Sequence, residues 1–232
     1  MTQKTASPES QPTILTDPNT VKKSGYRLQS GFSRDLANSM EDSLLGENRM
    51  QLMELAGIDL MGMTEPFLEI GPTFFCEDEG HFPILLTAPY RFENISTFII
   101  VEPDAEMFPQ LVDAAQAVAP EQRAKLILIN EEADHLHWTG REGSFVGIAD
   151  ESVRFARASS VFQKEVMSQE AFVKSFHEIS RTLMPGGVFF TPLSRLEFAD
   201  QGWDFLPHLF KQCNLEPLDD DKLRMRYLRK KA

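Results

Sequence analysis

Cysteine is scarce in this chain, with Cys76 and Cys213 the only two among 232 residues. Two thiols so far apart build no disulfide framework, and they suit a reducing compartment. Long apolar runs are missing as well. None approaches the roughly 18 residues that a membrane span needs. No basic stretch followed by an apolar block opens the sequence, so no secretory leader is expected. Basic side chains are in the minority: 23 Lys and Arg stand against 35 Asp and Glu, for a formal charge of −12. Such a field repels phosphate backbones and anionic lipid, which argues against a nucleic-acid or membrane partner. The tail RMRYLRKK (224–231) is the one local basic patch, and its simplest reading is a solvated terminal strand. Nucleophile elbows, phosphate loops and Cys-x-x-Cys pairs are absent too. The expected setting is soluble and cytoplasmic.

With 42% apolar and 25% charged residues, the chain has enough core-forming material for one sizeable domain. Residues 1–24 are rich in Ser, Thr, Pro and Gln and are expected to form a disordered tail, because they bury too little to offset ordering entropy. Residues 25–64 carry Leu and Met near helical spacing and read as an N-terminal helical cap. From residue 65 to 232 strands and helices alternate. PFLEIG (66–71), TFIIVE (97–102), AKLILINEE (124–132), SVRFARASSVF (152–162) and VFFTPL (188–193) read as strands. A helix is expected over 105–119. A second, over 169–183, carries Phe172, Phe176, Ile179 and Leu183 on one face and stops at MPGG. A weaker helix (203–214) and an alternating strand (222–230) finish the chain. This order predicts an α/β fold, a Rossmann-like doubly wound sheet, mostly parallel with an antiparallel last strand, plus N-terminal helices. Ligands of such sheets bind outside the carboxyl ends of the strands, where Glu102 ends an apolar run.

Three stretches in this order resemble the class I S-adenosylmethionine-dependent methyltransferases over roughly residues 65–230. FLEIG is similar to the family's first strand, with Glu69 and Gly71 in the places of its acid and first glycine. FIIVEPDAEMF looks like the second strand with its terminal acid, Glu102, followed by Pro103. FHEISRTLMPGGVFF looks like the helix, turn and fifth strand. The resemblance implies that S-adenosyl-L-methionine is the cofactor and that Glu102 accepts hydrogen bonds from both ribose hydroxyls. Read alone, Glu102 is equally a strand-end acid beside a helix N-terminus. Asn130 and Glu131 match the position that meets the adenine edge, and they also read as plain loop. Ala158 falls where small residues line the cofactor.

The first turn departs from the family pattern. Thr73 and Phe75 stand at its next two glycine positions, Pro72 removes a backbone donor, and Pro83 and Pro89 interrupt the helix that should follow. His135 and His137, two apart beside Asp134, read as a general base for an acceptor, as half of a metal pair lacking a third ligand, or as polar surface. Two functions fit: a divergent methyltransferase acting on a small molecule or a partner protein, and a non-catalytic scaffold or regulatory subunit of the same fold. Either could work as a homodimer or with a heteromeric partner. A dinucleotide reductase is disfavoured by the missing glycines.

Overall fold

The structure, a computed structural model, describes residues 11–23, 57–72, 74–76, 79–81, 88–158, 161–162, 167–191, 205–218 and 227–232. Its strands are β1 (Thr13–Leu15), β2 (Phe67–Ile70), β3 (Phe74–Cys76), β4 (Glu79–His81), β5 (Phe98–Val101), β6 (Leu126–Ile129), β7 (His137–Thr139), β8 (Phe145–Gly147), β9 (Val153–Ala158), β10 (Leu183–Phe190), β11 (Leu215–Pro217) and β12 (Tyr227–Lys230). The helices are α1 (Met107–Gln116), α2 (Pro120–Arg123), α3 (Gln169–Thr182) and α4 (Leu206–Gln212).

Eight strands form one sheet in the order β1-β6-β5-β2-β9-β10-β12-β11. All neighbours from β1 to β10 run parallel, and β12 runs antiparallel to both β10 and β11. This is the Rossmann-like, mostly parallel sheet with an antiparallel last strand that the alternation predicts. Its inner strands read FLEI, FIIV and LILI because both of their faces are covered. Alternation splits each strand between two cores. Phe67, Ile100, Leu128 and Phe155 point into one, together with Phe108 and Leu111 of α1. Leu68, Ile99, Ile129 and Ala156 point into the other, which α3 and α4 cover with Phe172, Phe176, Ile179 and Phe210. Helix α3 starts at Ser168, whose Oγ accepts from the Ala171 amide at 3.2 Å.

Several elements differ from the sequence reading. The expected tail over 1–24 contains strand β1, which extends the sheet by pairing with β6. Three residues cannot build a core, but they can complete a ladder along an open edge. Residues 24–56, where the helical cap is expected, lie outside the described residues. The following stretch contributes Ile58, Leu60 and Met63 to the first core. After β2 the chain makes a two-stranded hairpin, β3 with β4, and a helical turn occupies 88–91. Between β6 and β9 the crossover is the hairpin β7–β8, so HLHW belongs partly to a strand and not wholly to a loop. The MPGG segment lies inside β10, where the register shifts between Leu183 and Val188 and Gly186 takes φ +75°. The basic tail places β12 inside the sheet, with Lys230 against Glu151 at 3.3 Å.

Candidate functional site

The chain winds from β2 outward to β5 and β6, then returns to the other side of β2 for β9 and β10. The order therefore reverses at β2, and in such sheets ligands bind beyond the carboxyl ends of the strands at that point. Three acids lie at this end of three adjacent strands: Glu69 in β2, Glu102 after β5 and Glu131 after β6. Their exposures are 0%, 2% and 1%. Burying one carboxylate is costly unless it is paired or used, so three in a row make this end of the sheet the candidate site.

Glu102 follows Val101 directly and is held by its surroundings. Its amide donates to Ile129 O at 2.9 Å, and its own carbonyl accepts from Asn130 Nδ2 at 2.7 Å. Its Oε1 accepts from the Asp104 amide at 2.9 Å. Asp104 in turn accepts from the amides of Glu106 and Met107 at 2.8 and 3.1 Å, which caps the start of α1. The sequence EPDAEM thus wires the strand-end acid to a helix N-terminus through one intervening carboxylate. Pro103, half-buried, supplies the corner between them.

Glu69 faces the first core, opposite Arg157 in the register of β2 and β9. Their nearest approach is 3.5 Å from Arg157 Nε to Oε1, and neither oxygen of Glu69 has a hydrogen-bond partner among the described residues. Burial pushes the Glu69 carboxyl up to about 7, against the pull of the Arg157 charge. Burial also lowers the Arg157 guanidinium from its ordinary value, with Glu69 and Tyr227 opposing. Gly71 ends β2 in the left-handed region at φ +65°, and a Cβ there would stand 2.3 Å from Val161 Cγ2. Glycine is required at this bend both for its backbone angle and for its missing side chain. Ala158, fully buried, pairs with Ile70 beside it.

Asn130 and Glu131 end β6. Asn130 spends its side chain fixing the Glu102 carbonyl. Glu131 Oε1 accepts from the Asp17 amide and from Lys22 Nζ, while Oε2 is buried with no partner among the described residues. The histidines do not act together. His135 Nε2 lies 3.0 Å from Asp17 Oδ2, whereas His137 Nδ1 lies 2.9 Å from Glu178 Oε2 of α3. Among the described residues, no group of three His, Cys, Asp or Glu is arranged to hold a metal. Cys213 is no nucleophile candidate, because burial pushes its thiol up to about 12.

Arg157, Asp104, Asp17 and Lys22 belong to this constellation, and the sequence reading passes over all four. Asp104 could have been found from its place ahead of the first helical apolar residues. Arg157 is a charge inside an otherwise apolar strand, which is itself a signal. Nothing local to Asp17 or Lys22 announces a partner more than a hundred residues away.

No protein-family model and no curated protein sequence matches this chain. Solved structures do. One is a protein from Galdieria sulphuraria named as a sarcosine dimethylglycine methyltransferase, 12% identical with a TM-score of 0.52, covering 78% of this chain and 63% of that one. Another is the 4+2 cyclase SpnF, 14% identical with a TM-score of 0.50, covering 85% of this chain and 65% of that one. The chain therefore spans less than two thirds of the length of either. It has the class I methyltransferase fold, and the cyclase shows that this fold is not tied to one reaction. Among the described residues, no helix is long and apolar enough to cross a membrane.

Proposed function

We propose that the chain is a divergent S-adenosylmethionine-dependent methyltransferase that acts on a small molecule or a partner protein. The observation that carries this reading is the row of three buried carboxylates in β2, after β5 and after β6, at the end of the sheet where the strand order reverses. The residues fit such a donor. Glu102 stands directly after β5 with a carboxylate, the group that accepts from two vicinal ribose hydroxyls through charge-assisted hydrogen bonds. Glu69, whose oxygens have no hydrogen-bond partner among the described residues and whose one charged neighbour among them is Arg157 at 3.5 Å, stands where the family resemblance puts the acid of its first strand. Asn130 and Glu131 lie toward the adenine side, and Gly71 with Ala158 keeps the strand ends small. When bound, the sulfonium supplies an electrophilic methyl carbon. The chain's own part is to hold the ribose at Glu102, fix the approach of the acceptor and exclude water.

A second reading is favoured by one feature. The side chain of Val161 fills the space above Gly71, and the hairpin β3–β4 follows where the family has a helix. A chain with that end of the site narrowed could serve as a non-catalytic scaffold or regulatory subunit. Calorimetric titration of S-adenosylhomocysteine into the purified chain separates the two. Binding that Glu102→Ala abolishes supports the enzyme, and no heat at millimolar ligand supports the scaffold.

A further inference from the structure

Residues 11–23 cross the carboxyl edge of the sheet as a strap. It enters as β1 beside β6, and Leu15 O accepts from the Asn130 amide at 3.0 Å. It turns at Asp17, whose Oδ1 accepts from the Asn19 amide at 2.9 Å. It leaves toward the turn after β5, where Lys23 O accepts from the Ala105 amide at 2.8 Å. Along this path Lys22 Nζ and the Asp17 amide both donate to Glu131, Lys23 Nζ lies 2.7 Å from Glu132, and Asp17 meets His135. The strap thus spans the ground between the acid after β6 and the acid after β5.

We propose that this strap is an intrachain competitor for the nucleoside end of the site, with Lys22 latched on the carboxylate that an adenine's exocyclic amine would seek. The inference rests on the donor reading above. The chemistry of the two occupants is alike, since each offers N–H donors to the same acceptor. The Glu131 side chain is 0% exposed with the strap in place, so a nucleobase reaches it only after the strap lifts. The strap is also built to lift. Two of its three large apolar residues stay outside the core, Ile14 at 47% and Val21 at 83% exposed, and only Leu15 packs, half-buried, against the second core. A three-residue ladder, one half-buried leucine and a set of polar contacts hold it, which places it among the low-stability elements of the fold. A ligand that needs the open form binds with an affinity reduced by the closed fraction.

Lys22→Met and Lys22→Arg, titrated with S-adenosylhomocysteine beside the unaltered chain, test the latch. Lys22→Met is expected to bind roughly three- to tenfold tighter, the scale of one partly buried ion pair, and Lys22→Arg to stay near the unaltered affinity. Saturating ligand should speed tryptic cleavage at Lys22 and Lys23 in the unaltered chain. Heat from Lys22→Met alone supports the competitor most directly. Equal or weaker binding by Lys22→Met, or ligand protection of the two lysines, overturns the strap while the donor reading stands. Silence from every chain removes the donor reading, and the competitor with it.

Discussion

Glu69 and Arg157 face each other across the adjacent strands β2 and β9 at 3.5 Å, both buried, and Glu69 has no hydrogen bond among the described residues. Ion pairs made this way do not repay their desolvation, which is why the Glu69 carboxyl is pushed from an ordinary 4.5 up to about 7. The folded state therefore holds this proton more tightly than the unfolded chain. The stabilisation is fully present below pH 4.5 and is lost as pH rises through about 7. At about 1.4 kcal/mol per unit, the loss is on the order of 3 kcal/mol. Glu69→Gln should flatten that part of the stability profile. Urea denaturation at pH 5 and pH 8 checks it, and identical slopes for the two chains would sink the argument.

Gly71→Ala should destabilise on two separate counts. The φ of +65° costs a side-chain-bearing residue about 1–2 kcal/mol, and the new Cβ would meet Val161 Cγ2 at 2.3 Å. Val161→Ala removes the second cost and not the first. The double variant should therefore lose less than the two single variants added together. Simple additivity in urea denaturation would show that the two residues do not touch.

Asp104→Ala should cost about 1 kcal/mol, the usual effect of removing a cap. One carboxylate oxygen accepts two amides at the start of α1, which packs Phe108 and Leu111 into the first core. Asp104→Asn keeps an acceptor and should recover most of the loss. A thermal melt of Asp104→Ala that matches the unaltered chain would mean that α1 finds another acceptor.

What was legible in the sequence follows from how local each signal is. FIIV and LILI announce buried parallel strands because each run is apolar on both faces, and FLEI does the same but for Glu69. The spacing of Phe172, Phe176 and Ile179 gives α3 directly. The order of these elements was enough to place Glu102 at a carboxyl end. The strap stayed hidden because an edge strand of three residues has no period to detect, and its partners, Glu131 and Glu132, are 109 residues from the lysines that meet them. The hairpin β7–β8 was missed for a related reason. Trp138 and Leu136 are buried by the sheet they cover and not by a repeat of their own. The histidines illustrate the limit of spacing arguments. His135 and His137 stand two apart, yet one meets the strap and the other meets α3.

Glu102 has two jobs in this reading, and two substitutions part them. As a local acceptor it takes the Asp104 amide at 2.9 Å, a contact that a glutamine carbonyl can keep. As a ribose acceptor it needs two oxygens, and an amide offers one oxygen and a misplaced donor. Glu102→Gln should therefore melt within a few degrees of the unaltered chain. It should also lose S-adenosylhomocysteine affinity by roughly 10- to 100-fold, the scale of one hydrogen bond to a charged group. Glu102→Ala should lose the affinity and some stability as well, since it leaves the Asp104 amide without this acceptor. Calorimetry paired with a thermal melt reads both quantities. If Glu102→Gln binds the ligand as the unaltered chain does, the acid after β5 serves the turn alone, and its burial is explained by α1 rather than by a nucleoside.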